Sequence, residues 1–232
     1  LDNKREQDEI VITFDSKNGS KTVEEYLRSH SINNEFYWYP FEFNHNFSDL
    51  KNHTKHNCSG DYICHLDADE IPHKTLIEQL PQIIETNDVD LIWLPRVNTV
   101  DGITDEHITK WGWRVSEKGW VNYPDYQARV FKNSEEIKWV RPLHEYISGS
   151  KTYAHLPPYE ELSLYHHKTI EKQEKQNMFY NENYSRELNV KTLYHKWVYL
   201  NSFIMIFNIL NQVRLIYFIQ VRIGMRTKLR WQ

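Results

Sequence analysis

Cysteine is nearly absent from this chain. Cys58 and Cys64 are the only two in 232 residues, and they form no CxxC pair. That excludes a disulfide framework and a zinc knuckle, and a reducing compartment fits best. A secretory leader is not legible either, because Leu1 to Glu9 is polar and charged. The most apolar region, Trp197 to Met225, is interrupted by Asn201, Asn208, Asn211, Arg214 and Arg222. It therefore lacks the ~20 unbroken apolar residues of a spanning helix. Acidic residues stop at Glu187, beyond which seven basic residues stand uncompensated. The first 187 residues hold the other 21 basic residues against 32 acidic ones, so a −11 body precedes a +7 tail. Internal repeats and low-complexity linkers are also missing.

What remains is globular in composition, 40% hydrophobic and 26% charged, and long enough for one sizeable α/β domain. Aromatic residues reach 14%, with eight Trp and fifteen Tyr. They serve equally as core filler or as flat platforms for sugar rings and bases.

The β-branched run from Glu9 to Phe14 predicts a buried strand, closed by the turn cluster Asp15 to Ser20. Thr22 and Glu25 have capping-box spacing for a first helix. A second, aromatic strand is expected over Glu35 to Phe41, a polar helix over Ser48 to Cys58, and a third strand over Asp61 to Leu66. Pro72 is placed to open the next helix, Pro81 to end or kink it, and Asp90 to Val97 reads as another strand. Shorter strands follow at Gln127 to Lys132 and His144 to Ile147, then a long polar helix over Thr169 to Leu188. Strands alternating with helices imply an α/β fold with a mostly parallel sheet and helices on both faces.

At the end of the third strand stands Asp67-Ala68-Asp69-Glu70. Two carboxylates one residue apart, just past a strand's carboxyl end, lie where open α/β sheets bind ligands. Both can face one oxygen-seeking cation such as Mn²⁺ or Mg²⁺, which would neutralise a diphosphate leaving group. The plainer alternative is an acidic turn in which Asp69 caps the following helix.

Four ordered segments carry a resemblance. Ser59-Gly60-Asp61-Tyr62-Ile63-Cys64-His65-Leu66-Asp67-Ala68-Asp69-Glu70 resembles the GD-W/Y-I-x-x-LDADE segment of family 2 glycosyltransferases. Asp8 to Ser16 with Gly19 to Thr22 is similar to their DEIVVVDSGSTDGT strand and turn, and Lys51-Asn52 sits where they carry Arg-Asn or Lys-Asn. Tyr123 to Asn133 resembles YPDYQxRLFRN, and Trp139 with His144-Glu145 resembles their W…VHE pattern. The likeness spans Asp8 to Tyr180 and is closest to the branch of lipopolysaccharide-core, capsule and phage enzymes.

The resemblance implies a GT-A fold in 1–190, and the charge and apolar pattern of the tail reads as a basic, apolar, helical C-terminal extension in 191–232. Similar enzymes begin with a further strand reading like ISVVIPTYNE, so the fold is expected without that N-terminal strand. It implies a hexosyltransferase-like enzyme that passes a sugar from a nucleotide-diphosphate donor to a hydroxyl of a glycan or glycolipid, with inversion. By position, Asp15 matches the base contact, Asp67 the ribose or metal contact, and Asp69 the metal ligand for Mn²⁺ or Mg²⁺. Lys51, Arg129 and Lys132 would meet the donor, and Tyr126, Gln127 and His144 the acceptor. Glu145 is the favoured general base and Asp125 its competitor. A later histidine often reaches the metal or diphosphate in GT-A enzymes, which singles out His166, with His167 its rival on the opposite face of an extended segment. The chain is expected in the cytoplasm, with its extension lying peripherally on the inner face of a membrane. Alternatives are transfer to modified DNA bases, with nucleic acid the less favoured partner, and a truncated binding module without turnover.

Overall fold

The computed structural model of the chain describes residues 4–31 and 36–189. The extension in 191–232 lies outside the described residues. Among the described residues no helix is long and apolar enough to cross a membrane.

Strand β1 (Val11–Asp15) runs parallel to β2 (Tyr37–Phe41). The turn after β1 requires Gly19, where a Cβ would stand 2.3 Å from the Asp15 carbonyl oxygen and 2.4 Å from the Phe14 ring. Helix α1 (Lys21–His30) starts earlier than its capping-box spacing suggests. Its cap position is Ser20, no side chain caps it, and the Thr22–Glu25 box does not form. Helix α2 (Phe47–His56) is capped by Asn46, whose side chain accepts from the Ser48 and Asp49 N–H groups. Strand β3 (Tyr62–Cys64) then leads into the acidic turn.

Pro72 does not open a helix. It ends strand β4 (Glu70–Pro72), and α3 (Lys74–Asn87) starts beneath a His73 cap. The competing force is pairing, since β4 lies antiparallel to β11 (Leu164–Thr169) with Pro72 opposite Leu164. Nor does Pro81 end α3, which continues to Asn87 on a buried face of Leu76, Leu80 and Ile84. Tertiary packing of that face outweighs the local penalty. The single strand expected over Asp90 to Val97 is two, β5 (Leu91–Leu94) and β6 (Arg96–Asp101), divided at Pro95. Proline has no N–H for a ladder, and here its carbonyl accepts from Leu164 N at 2.9 Å.

Helix α4 (Asp105–Trp111) precedes β7 (Gln127–Lys132), β8 (Lys138–Val140), β9 (Tyr146–Ser148) and β10 (Tyr153–His155). Helix α5 (Ile170–Asn183), capped by Thr169, follows β11. The strands form a four-stranded sheet β10-β5-β7-β3, a three-stranded sheet β4-β11-β6 and the pairs β1-β2 and β8-β9. The fold is α/β, but its sheets are mixed rather than mostly parallel. Strand β7 enters antiparallel between β3 and β5.

Both faces of this central sheet are filled. Leu76, Leu80 and Ile84 of α3 pack on Ile92, Leu94 and Val130. On the other face lie Ile63, Trp93, Ala128, Phe131 and Trp139. Ala128 and Val130 would share a face in a regular strand. They do not, because the β5–β7 register slips: Ile92 faces Val130 and Trp93 faces Ala128, which leaves Arg129 unopposed. A bulge of this kind re-aims a side chain, and here it turns Arg129 toward the acidic turn.

His155 stacks on Trp93 with ring centres 5.5 Å apart and meets the edge of Tyr126 at 5.0 Å. Burial pulls its pKa down to about 4 from an ordinary 6.5. Between those values the unfolded chain binds a proton that the folded chain refuses, so stability is lost as pH falls through that window. Thermal melts from pH 6.5 to 5 should therefore show a smaller drop in Tm for His155→Phe, which keeps the stack. Parallel curves for the two proteins would contradict this.

Candidate active site

The turn Asp67-Ala68-Asp69 is closed by a Glu70 N–H to Asp67 carbonyl bond of 2.9 Å. Its two aspartates have different partners. Asp67 Oδ1 accepts from Lys51 Nζ at 2.9 Å and His65 Nε2 at 3.2 Å, while Oδ2 pairs closely with Arg129 Nη2. Burial would raise the Asp67 pKa, yet Arg129 and Lys51 hold it well below the usual carboxylate range. Burial and Lys51 push His65 down, so its ring is neutral and donates to Asp67. Asp69 Oδ2 meets Lys172 Nζ at 2.9 Å and His166 Nε2 at 3.5 Å. The His166 contact, with Lys172, lowers the Asp69 pKa strongly against partial burial. Both aspartate side chains keep about a third of their surface open, 34% and 32%, so a ligand in the adjoining cavity can reach them.

Glu70 ties the turn to the sheet. Its side chain is fully buried. It takes Arg129 Nε at 2.8 Å, Arg129 Nη2 at 2.7 Å and Arg96 Nη1 at 2.7 Å. Burial alone would raise its pKa, and the Arg129 guanidinium outweighs that. Arg96 continues to Asp125 Oδ2, with Nη2 at 2.6 Å and Nε at 3.1 Å. Lys51, itself buried, bridges Asp67 to Glu145 Oε1 at 2.7 Å and lies 4.5 Å from the Trp139 ring centre. Asn52 clamps the Trp139 backbone with bonds of 2.8 and 2.9 Å, which fixes α2 against β8. That explains why lysine and asparagine stand side by side there.

His166 sits where register dictates, opposite Glu70 across β4–β11 and opposite Asn98 across β6–β11. Its Nδ1 lies 2.7 Å from Asn98 Oδ1. The Asn98 amide nitrogen points instead at Asp125 Oδ2, 2.9 Å away. Asn98 Oδ1 only accepts, so Nδ1 is a donor there and Nε2 is the ring nitrogen turned toward Asp69. His167 faces away, toward Thr99 and Asp101, and is exposed. Of the two histidines, His166 is therefore the one at the acidic turn.

A cavity of about 1850 Å³ collects these groups. Lys51, Asp67, Asp69, Asp125, Arg129, Glu145 and His166 line it, as do Tyr126, Gln127 and His144. The Tyr126 hydroxyl is spent on the Leu156 carbonyl at 2.9 Å, a packing role. Asp15 and Lys132 are not among the lining residues. Asp15 accepts from the Lys17 and Asn18 N–H groups of its own turn, at 3.0 and 3.2 Å. Lys132 pairs with Asp88 at 3.1 Å and Asp90 at 3.4 Å beside the start of β5. Arg96, Asn98, Lys168 and Lys172 enter the site without having been singled out from sequence. The β6–β11 register reveals the first three, and the first turn of α5 places Lys172. Burial pulls the Lys168 amine down to about 8.

Among the described residues no three His, Cys, Asp or Glu side chains are grouped to hold a metal unaided. The pair Asp69 and His166 is an oxygen and a nitrogen donor. Hard divalent cations are commonly bound through one or two protein groups, with phosphate oxygens and water completing the shell.

Glu70→Gln leaves Arg129 and Arg96 short of a buried counter-charge. Losing one partner of such a pair costs about 3–5 kcal/mol, and urea unfolding should register it. A loss under about 1 kcal/mol would show the network to be dispensable.

The family model described as glycosyl transferase family 2 matches residues 1–134. No curated protein matches the chain.

Proposed function

The chain belongs to glycosyl transferase family 2, a family of GT-A enzymes that use nucleotide-sugar donors, and on that premise we propose a metal-assisted, inverting transfer to a hydroxyl of a glycan or glycolipid. The observation that carries this reading is the Asp69–His166 pair, 3.5 Å apart at the cavity wall with the imidazole oriented through Nδ1 by Asn98. When bound there, Mn²⁺ or Mg²⁺ would supply positive charge to the departing nucleoside diphosphate. Lys172, 2.9 Å from Asp69, places a second cation beside the same point.

Asp67 stays on Lys51 and Arg129 and presents its remaining surface to the donor's ribose side. Arg129 and Lys51 thus act on the donor through Asp67 rather than as free phosphate clamps. Glu145 takes the proton from the acceptor hydroxyl, and Lys51 orients that carboxylate through a 2.7 Å contact to Oε1. Asp125 is bound by Arg96 and Asn98 through one oxygen, an arrangement suited to positioning the acceptor. The likeness to lipopolysaccharide-core and capsule enzymes favours an acceptor at the inner face of a membrane.

Calorimetric titration with nucleoside diphosphates tests the metal. Binding should require Mn²⁺ or Mg²⁺, and Asp69→Asn should abolish both that requirement and turnover. Equal binding in excess chelator would overturn the reading. Glu145→Gln should leave donor binding intact and lower turnover by about 10²-fold or more. Near-normal turnover beside an inactive Asp125→Asn would reverse the two roles.

A further inference from the structure

The cavity is larger than one substrate needs. Sites for a single small ligand run to roughly 300–1,000 Å³, against about 1850 Å³ here. The excess extends past Asn98 along β6, where Thr99, Val100, Trp111, Trp113 and Asn122 join the lining. None of the groups assigned above to donor, metal or proton transfer lies in that part.

The two tryptophans are placed by backbone chemistry. Helix α4 stops at Gly112, whose φ of 62° is the left-handed conformation that glycine adopts without strain. Trp113 N then donates to the Ile108 carbonyl at 3.0 Å, the closing bond of a Schellman turn. This folds the chain back and brings the indoles of Trp111 and Trp113 to 4.7 Å, tilted by 44°. His107 stacks on Trp111 at 5.3 Å, so the pair is braced from the helix. Neither indole is buried in the core.

The segment that follows is registered to the acidic turn by one residue. Asn98 accepts at its carbonyl from Val121 N at 2.9 Å, while its side chain orients His166 and Asp125. Asn122 N then donates to the Arg114 carbonyl at 2.7 Å, and Arg114 N donates to Asn122 Oδ1 at 3.0 Å. The indole pair is thus tied through a short hydrogen-bonded path to the groups that face the transferred sugar.

We infer that Trp111 and Trp113 form the platform on which a sugar ring of the acceptor stacks, with Asn122 bordering it. This rests on the glycosyltransferase reading and adds the place and class of its acceptor. Trp111 is contacted by His107 and by Lys110 Nζ, 5.3 Å from its ring centre, and backs the Trp113 indole, whose apolar ring suits the C–H side of a pyranose while neighbouring polar groups meet its hydroxyls. A nucleobase would also stack on indole, but a polynucleotide needs surplus positive charge for its phosphates. Residues 99–122 hold Asp101, Asp105, Glu106 and Glu117 against Lys110, Arg114 and Lys118, which gives no such surplus.

The test is saturation-transfer NMR on the full chain with a panel of methyl glycosides and disaccharides, run beside calorimetric binding of UDP and GDP with Mn²⁺. At least one panel sugar should bind the native protein. Trp113→Ala and Trp111→Ala should weaken it tenfold or more, while Trp113→Phe stays within about threefold. Circular dichroism and nucleotide binding should match the native protein in all three variants. The platform is overturned if no panel sugar binds, if the alanine variants bind sugar as the native chain does, or if a single-stranded oligonucleotide binds these indoles in place of sugar. Failure of every nucleotide to bind, with sugar binding still sensitive to Trp113, would strike the glycosyltransferase reading and leave the platform standing.

Discussion

Arg129 lies almost wholly inside the protein, with its guanidinium divided between Glu70 and Asp67. A buried cation of this kind must be fully paired, because an uncompensated charge in a low-dielectric interior is costly. The bulge on β7 delivers it there, and the turn that follows β3 supplies the matching acids. Glu70 passes the constraint to Arg96 and Asp125, and Asp67 passes it to Lys51 and Glu145. The acidic turn, the candidate base and the start of β6 are in this way held by one chain of alternating charges.

The two aspartates of the turn consequently differ in chemistry although they are one residue apart. Asp67 belongs to the buried network and has both oxygens engaged by cations or an imidazole. Asp69 stands outside it, facing His166 Nε2 and the exposed side chain of Lys172. A ligand that brings its own phosphate oxygens can exchange with Lys172 far more cheaply than with Arg129, since an exposed ion pair contributes little. Asymmetry, rather than symmetric clamping, is what the acidic turn offers a donor.

Much of this was legible in the residues. Strand β7 occupies Gln127–Lys132 as its pattern indicates, and the polar α5 begins at Ile170 beside its Thr169 cap, though it ends at Asn183 and not at Leu188. Lys51 and the Asp67 to Glu70 turn converge on one cavity, and Asn52 anchors the helix that carries Lys51. Pro72 and Pro81 misled because strand pairing and a buried helix face overrode local preference. Asp15 is held by its own turn and Lys132 by Asp88 and Asp90 beside β5, so a motif position gave no guide to their side-chain direction. Arg96 and Asn98 were invisible for the opposite reason. They matter only because β6 lies beside β11, a pairing between residues almost seventy positions apart that periodicity cannot reveal.

The most direct measurement is a crystal structure of the chain with Mg²⁺ and a nucleoside diphosphate. The account predicts the cation on Asp69 and His166, with oxygen ligands at about 2.1 Å, phosphate oxygens replacing Lys172, and Asp67 still on Arg129 and Lys51. A cation bound by Asp67 with Arg129 displaced, or one held away from Asp69 altogether, would contradict it.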